Sequence, residues 1–302
     1  MKKLMLTTVL AAMFAVSTHA QLLWRITGNQ LESASYIIGT HHLANVGFIE
    51  QIPGVKEAFQ KTSQVCGELA WKDMTNADTL AYMQSQMLLP EGQTLQSLLT
   101  EEQMQRVNAA LKKLMGVDMS NAMVAAQMGR MKPATLTTQM ELLLFMSKHM
   151  GEFDPTSTFD QYFQTQAQKN NEPCIGLETV SMQMKLLYDK PIERQAELLM
   201  CLVDNEQTVV SMLDNLTEAF YAQDLDALKE VMDMKVGTSC DSSSEEDDQL
   251  LNNRNADWLT KMPDIMKKAP TFFVVGAGHL PGDKGVLNLL RKAGYTVEGI
   301  KN

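Results

Sequence analysis

The sequence predicts an α/β protein whose central sheet is built from both ends of the chain around a large helical insertion. Three observations carry that expectation. Short β-type apolar runs cluster at the two ends, whereas the long middle stretches repeat apolar residues at intervals of three and four. Gly39-Thr40-His41-His42 and Gly276-Ala277-Gly278-His279 each follow such a run, Tyr36-Ile37-Ile38 and Phe272-Phe273-Val274-Val275, so each places a Gly-x-x-His turn at a strand end. Near the C-terminus, Pro281-Gly282 opens a helix over Val286–Lys292, Gly294 ends it, and Tyr295–Ile300 returns as a strand.

The elements follow in order. Met1–Ala20 reads as a secretory leader: Lys2 and Lys3 supply charge, Leu4–Val16 the apolar stretch, and Thr18-His19-Ala20 small residues at a cleavage point. The remaining 21–302 is expected to be a single domain, periplasmic or secreted, with no stable membrane span after cleavage. Loss of the two lysines takes the formal charge from −10 to −12. That balance, without Lys/Arg clusters, excludes nucleic acid as a partner.

Strands are expected at Leu22–Ile26, Ser35–Ile38, Gln64–Leu69, Pro173–Leu177, Thr271–Val275 and Thr296–Ile300. The helical insertion spans about 73–170. Glu101–Met115 carries Met104, Val107, Leu111 and Leu114 on one face, and Asn121–Met131 and Thr137–Met150 read similarly. Asp154 to Thr158 is a break that starts a helix over Phe159–Lys169. Beyond the insertion, Glu193–Leu216 and Leu225–Met234 carry the same helical spacing, with Arg194–Leu202 as a helical stretch that ends close to Cys201. The acidic run Asp241–Asp248 reads as a solvated loop, because it lacks the ligand spacing and turn glycine of a calcium loop. The 23 methionines fall at helical spacing among Leu and Ala, which favours adaptable packing over copper binding.

An exported chain can form disulfides. Of three possible pairings, Cys201–Cys240 is favoured, since one residue ends a helical stretch and the other sits in a polar loop. Cys66 and Cys174 lie in apolar strand-like runs and read as buried free thiols.

Histidine is scarce: the chain has five, and three of the four outside the leader sit in the two Gly-x-x-His motifs. Glu68 follows Val65-Cys66-Gly67 and Glu178 follows Cys174-Ile175-Gly176-Leu177, so each places a carboxylate at the end of an apolar strand. Such a group is costly to desolvate unless it is paired or bound to a metal. His42, His279 and the two glutamates therefore form a two-histidine, carboxylate set suited to zinc, manganese, iron or cobalt. Arg254, near the start of the helix before the last motif, suits a substrate carboxylate or a developing oxyanion. A different class of function remains open from the residues alone: a non-enzymatic binder of haem, metal or peptide, with His41 or His42 as an axial ligand or Met-rich helices as the grip.

The motifs Gly39–His42 and Gly276–Gly282, together with Gly176-Leu177-Glu178-Thr179, Gln183 and Arg254-Asn255, resemble those of the TraB/GumN family, which includes the TIKI proteins. The resemblance covers nearly all of 21–302. It implies an α/β sheet with a helical insertion, similar to the ChaN and erythromycin-esterase group, and a metal-dependent hydrolase acting on a peptide or small molecule. It points to His42, His279 and Glu68, with Glu178, Arg254 and Asn255 as supporting site residues. His42, His279 and one glutamate would hold the metal, and the other glutamate would act as base. Glu68 is preferred as ligand and Glu178 as base, with the swap left open. Arg254 would stabilise the oxyanion, and Asn255 would contact substrate. His41 reads as an accidental neighbour of His42.

Overall fold

A computed structural model describes residues 21–154 and 157–301. The expected leader therefore lies outside the described residues. Six strands form one mixed sheet: β1 (Leu23–Gly28), β2 (Ser35–Thr40), β3 (Gln64–Gly67), β4 (Cys174–Gly176), β5 (Thr271–Gly276) and β6 (Tyr295–Gly299), in the order β4-β3-β5-β2-β1-β6. The chain's two ends thus meet in one sheet, as expected.

Four strands, β4, β3, β5 and β2, run parallel, and β1 pairs antiparallel with β2 and β6. Strands β2 and β5 read as near-continuous apolar runs because both their faces are covered, and β2 is buried throughout. Phe159, Phe163 and Ala167 from one helix, and Trp258, Met262 and Met266 from another, join Phe272–Val275 and Ile37–Ile38 in the main core. Parallel pairing puts the carboxyl ends of four strands on one edge of the sheet, where α/β proteins bind ligands.

The helical part has its own core. Leu95, Val107, Leu111, Leu136, Met140 and Leu144 pack with Leu199, Met200 and Val210. The last three lie beyond residue 170, so the insertion is completed by helices that follow β4. Met104 and Met140 are buried there as expected of packing methionines, while Met123 and Met150 are exposed.

One sequence expectation is sharpened and one corrected. The helical pattern over Glu193–Leu216 divides in two: Ile192–Asp204 and Glu206–Tyr221 meet at Asn205, whose side chain donates to the Cys201 carbonyl at 2.9 Å. Asparagine competes with the helical backbone in this way. The acidic run is not simply a solvated loop. Ser243 and Glu246 form a capping box that starts the helix Ser244–Asp247, and a π-turn, Asp248–Asn252, leads directly into the helix Asn253–Lys268. Glu246 meanwhile takes Arg194 at 3.0 Å and Lys190 at 3.1 Å.

Cys201 and Cys240 are joined by a disulfide, and Cys66 and Cys174 are buried free thiols. Both expectations hold. Among the described residues no helix is long and apolar enough to cross a membrane.

Candidate functional site

The strand order sets out the site. Across the carboxyl edge, β4 leads to Glu178, β3 to Glu68, β5 to His279 and β2 to His42. Pairing of β3 with β4 continues past the strands, with Leu177 N–H donating to Gly67 O at 2.9 Å and Glu178 N–H to Glu68 O at 2.8 Å. That continuation holds the two glutamates side by side. The backbone comes close to them here: a Cβ on Gly276 would come within 3.3 Å of Glu68 Oε1, so that the carboxylate would have to give slightly. The Gly276 N–H donates to that oxygen at 2.8 Å.

Arg254 lies at the centre. It reaches Glu178 through Nε at 2.7 Å and Nη2 at 3.0 Å, Glu68 through Nη2 at 2.6 Å, and His279 Nε2 through Nη1 at 3.0 Å. Trp258 Nε1 donates to Glu178 Oε1 at 2.7 Å, and the guanidinium lies over the Trp258 ring, 5.1 Å from its centroid. Gln183 Nε2 reaches Glu68 and Glu178, both at 3.1 Å. Every arm of this buried ion cluster is matched, the condition under which such charges are tolerated.

The two motif histidines have different settings. His279 is buried, its ring 4.3 Å from that of Trp258, and its Nδ1 donates to Asn255 Oδ1 at 2.6 Å. That bond leaves the lone pair on Nε2, facing Arg254 and lying 3.9 Å from Glu68 Oε1. His42 is exposed at the other side of the edge, and its Nδ1 meets Asp160 Oδ2 at 3.0 Å. Asp160 and Gln164, from the helix Phe159–Lys169, join His42, Glu68, Gln183, Leu69, Trp71 and Met74 around a cavity of 190 Å³. Glu178 and Arg254 also line a second, larger cavity of 640 Å³ on the far side of the cluster, beside Met182, Leu186 and Glu246.

These settings pull the ionisable groups apart. Burial pushes the His279 imidazole down to about 4, despite the nearby Glu68 carboxylate. The Asp160 carboxylate beside it raises His42 above the usual imidazole range. Burial opposes the Glu68 charge, but His279, the Arg254 guanidinium and the Gly276 N–H outweigh it and hold the carboxyl below its usual value. Burial likewise opposes charge on Asp160, where His42 and the Thr40 hydroxyl prevail and lower it.

The structure thus brings Glu68, Glu178, Arg254 and His279 into direct contact and places His42 across a cavity from them. Asn255, expected as a substrate contact, sits behind His279, its amide nitrogen on the Lys284 carbonyl at 2.9 Å. His41 packs between Phe220 and Phe145, and its Nδ1 accepts from the Leu43 N–H. Sequence reasoning missed Asp160, Gln164 and Trp258, none of which belongs to a short motif. An acid two residues after the cap Thr158 reads as ordinary helix-start chemistry.

A family model described as the TraB/PrgY/gumN family matches residues 22–299. The chain belongs to this family. Its curated relatives include the metalloproteases TIKI2 and TIKI1 of Danio rerio, 24% and 23% identical over 91% of this chain in each case. The matches cover 60% and 62% of those proteins, so this TraB/PrgY/gumN chain spans about three fifths of their length. No solved structure matches it significantly.

The side-chain types at this edge, two imidazoles and a carboxylate, are of the kind that bind divalent ions. His279 is neutral with its Nε2 lone pair directed at Arg254, and Glu68 is held as a carboxylate. His42, whose charged form Asp160 favours, would give up its Nε2 proton to bind an ion. Hydrogen-bonded Nδ1 atoms on both histidines match the outer-shell pattern of metal-binding imidazoles. Among the described residues, however, no three His, Cys, Asp or Glu side chains converge closely enough to hold an ion. Arg254 takes the inward lone pair of His279 instead.

Proposed function

We propose that this protein is an exported metal-dependent hydrolase, with peptides as the first substrates to test. One observation carries the reading: the carboxyl edge of the parallel strands gathers Glu68, Glu178, Arg254 and neutral His279, with His42 and Glu68 lining one cavity beside them. Its support from outside the chain is the similarity to proteins named metalloproteases. The disulfide Cys201–Cys240 supports export to an oxidising compartment, since such bonds are rare where thiols are kept reduced.

In this reading His42, Glu68 and His279 would hold zinc, manganese, iron or cobalt. The ion would supply a water acidified toward neutral pH and a Lewis acid for the scissile carbonyl. The chain's own residues do the rest. Asn255 keeps the His279 lone pair on Nε2. Glu178, aimed by Trp258 and Gln183, accepts the proton of the attacking water and returns it to the leaving group. Arg254 hydrogen-bonds the oxyanion that develops on the substrate carbonyl, a role in which loss of one donor costs about 10²–10³-fold in rate. The cavity lined by Leu69, Trp71 and Met74 would shelter the neighbouring part of the substrate from water.

The test is elemental analysis of protein purified without chelator or affinity nickel, beside a His42→Ala/His279→Ala double variant, followed by peptide hydrolysis. Near-stoichiometric metal and hydrolysis in the parent, both absent from a folded double variant, are expected. Undiminished hydrolysis by that variant would overturn the reading.

A further inference from the structure

Asp160 is out of place for a surface helix residue. It sits in the first turn of the helix Phe159–Lys169, where an acid is favoured by the helix N-terminus, yet its side chain is only 25% exposed and both oxygens are committed. Oδ1 accepts from the Thr40 hydroxyl at 2.9 Å and Oδ2 meets His42 Nδ1 at 3.0 Å. Thr40 is the last residue of β2 and is itself buried, so the carboxylate is anchored to the strand before it reaches the imidazole. The two partners flank the turn that follows β2, 118 and 120 residues away in the chain.

The chemistry of this contact is directional. An ionised carboxylate only accepts hydrogen bonds, so His42 must present a proton at Nδ1. Neutral His42 is thereby held in the tautomer whose lone pair is on Nε2. Without such a partner, a solvent-facing imidazole is free to change tautomer and ring orientation. The same logic operates at His279, where Asn255 Oδ1 takes the Nδ1 proton. Both motif histidines therefore have Nδ1 engaged by a group from another element, which puts the lone pair of the neutral ring on Nε2; at His279 Arg254 takes it.

We propose that Asp160 is a positioning residue that sets the tautomer and orientation of His42, with Thr40 as its anchor, so that Nε2 serves as a metal donor. The donor half of this inference rests on the proposed hydrolase site; the tautomer half does not. A carboxylate partner also strengthens an imidazole donor, and removing such an outer-shell group costs about 10–100-fold in metal affinity.

The experiment uses the metal-free full chain at alkaline pH, where the imidazole is neutral, and reads the ring nitrogens of His42 by long-range ¹H–¹⁵N correlation. The parent should show a protonated Nδ1 and a bare Nε2. Asp160→Ala should lose that preference while the His279 signals stay unchanged, and Asp160→Asn, whose Oδ1 can still accept, should retain it. Zinc affinity by competition with a chromophoric chelator should fall about 10–100-fold in Asp160→Ala and less in Asp160→Asn. A His42 tautomer unchanged in Asp160→Ala overturns the inference, as does an altered tautomer with unchanged zinc affinity. If even the parent binds no metal but the tautomer responds as expected, the positioning role stands and the hydrolase reading fails. Should Asp160→Ala not fold, the tautomer in Asp160→Asn alone decides, because its loss there contradicts the inference.

Discussion

His42 and His279 end the same four-residue pattern on two neighbouring parallel strands, yet they finish in opposite electrical states. Registers Gly39 with Val275 and Thr40 with Gly276 show how closely the two turns correspond. Beyond them the environments diverge. The β5 turn tucks His279 under Trp258, gives it a neutral amide partner, and burial pushes it down to about 4. The β2 turn leaves His42 facing solvent beside a carboxylate that pushes it up. A short motif positions an imidazole; the elements packed around it choose its charge.

The largest expected effect comes from removing the group that ties the buried half together. Arg254→Ala leaves Glu68 and Glu178 without their shared cation in a water-poor site, which should destabilise the fold by about 3–5 kcal/mol. Urea denaturation measures it, and a loss below about 1 kcal/mol would mean that the cluster is not what holds this edge together. The same variant frees the inward lone pair of His279.

Asn255→Asp is the substitution that would turn one histidine into the other. It replaces the amide on His279 Nδ1 with a carboxylate, as Asp160 is for His42. The imidazolium is then favoured, so the titration midpoint of His279 should move up from about 4 when followed by NMR. A midpoint that stays put would show that burial alone governs His279.

The pair should also respond to pH with opposite signs. His279 has a folded value below its unfolded value near 6.5. Its contribution is therefore complete above that pH and is lost as pH falls from 6.5 toward about 4. His42 has a raised folded value, so its contribution is complete below pH 6.5 and is lost as pH rises through the folded value. Stability curves of His279→Gln and His42→Gln against the parent would separate the two, the first differing in the acid window and the second in the alkaline one. Curves that both differ in the same window would refute the contrast.

The smallest effect is at His42. Asp160→Asn removes a charge from a pair whose imidazole is 73% exposed, so water screens most of the interaction. The expected cost to stability is under about 1 kcal/mol, with a downward shift of the His42 midpoint by NMR. A cost comparable to Arg254→Ala would mean that the Thr40 contact, rather than the histidine, dominates the role of Asp160.

Much of the site was legible in the sequence because it follows from strand ends. Gly39–His42, Glu68, Glu178 and Gly276–His279 each follow an apolar run, and parallel strands deliver their carboxyl ends to one edge. The cysteine pairing was legible for a similar local reason, a helix end beside a polar loop. The position of the helix break, Asn205, was not, since Glu193–Leu216 keeps its apolar spacing across it. The acidic run gave a solvated reading because nothing local shows that Glu246 will meet Arg194, fifty-two residues earlier.

By itself the sequence determined the α/β class, the sheet built from both ends and the placement of two histidines and two glutamates after strands, because periodicity and turn chemistry act over a few residues. Only the tertiary structure decided that Arg254 sits among Glu68, Glu178 and His279, that Asn255 stands behind one histidine and Asp160 beside the other, and that the two imidazoles hold their protons so differently. Those outcomes depend on burial and on charges brought within hydrogen-bonding distance from far along the chain. No local pattern carries that information.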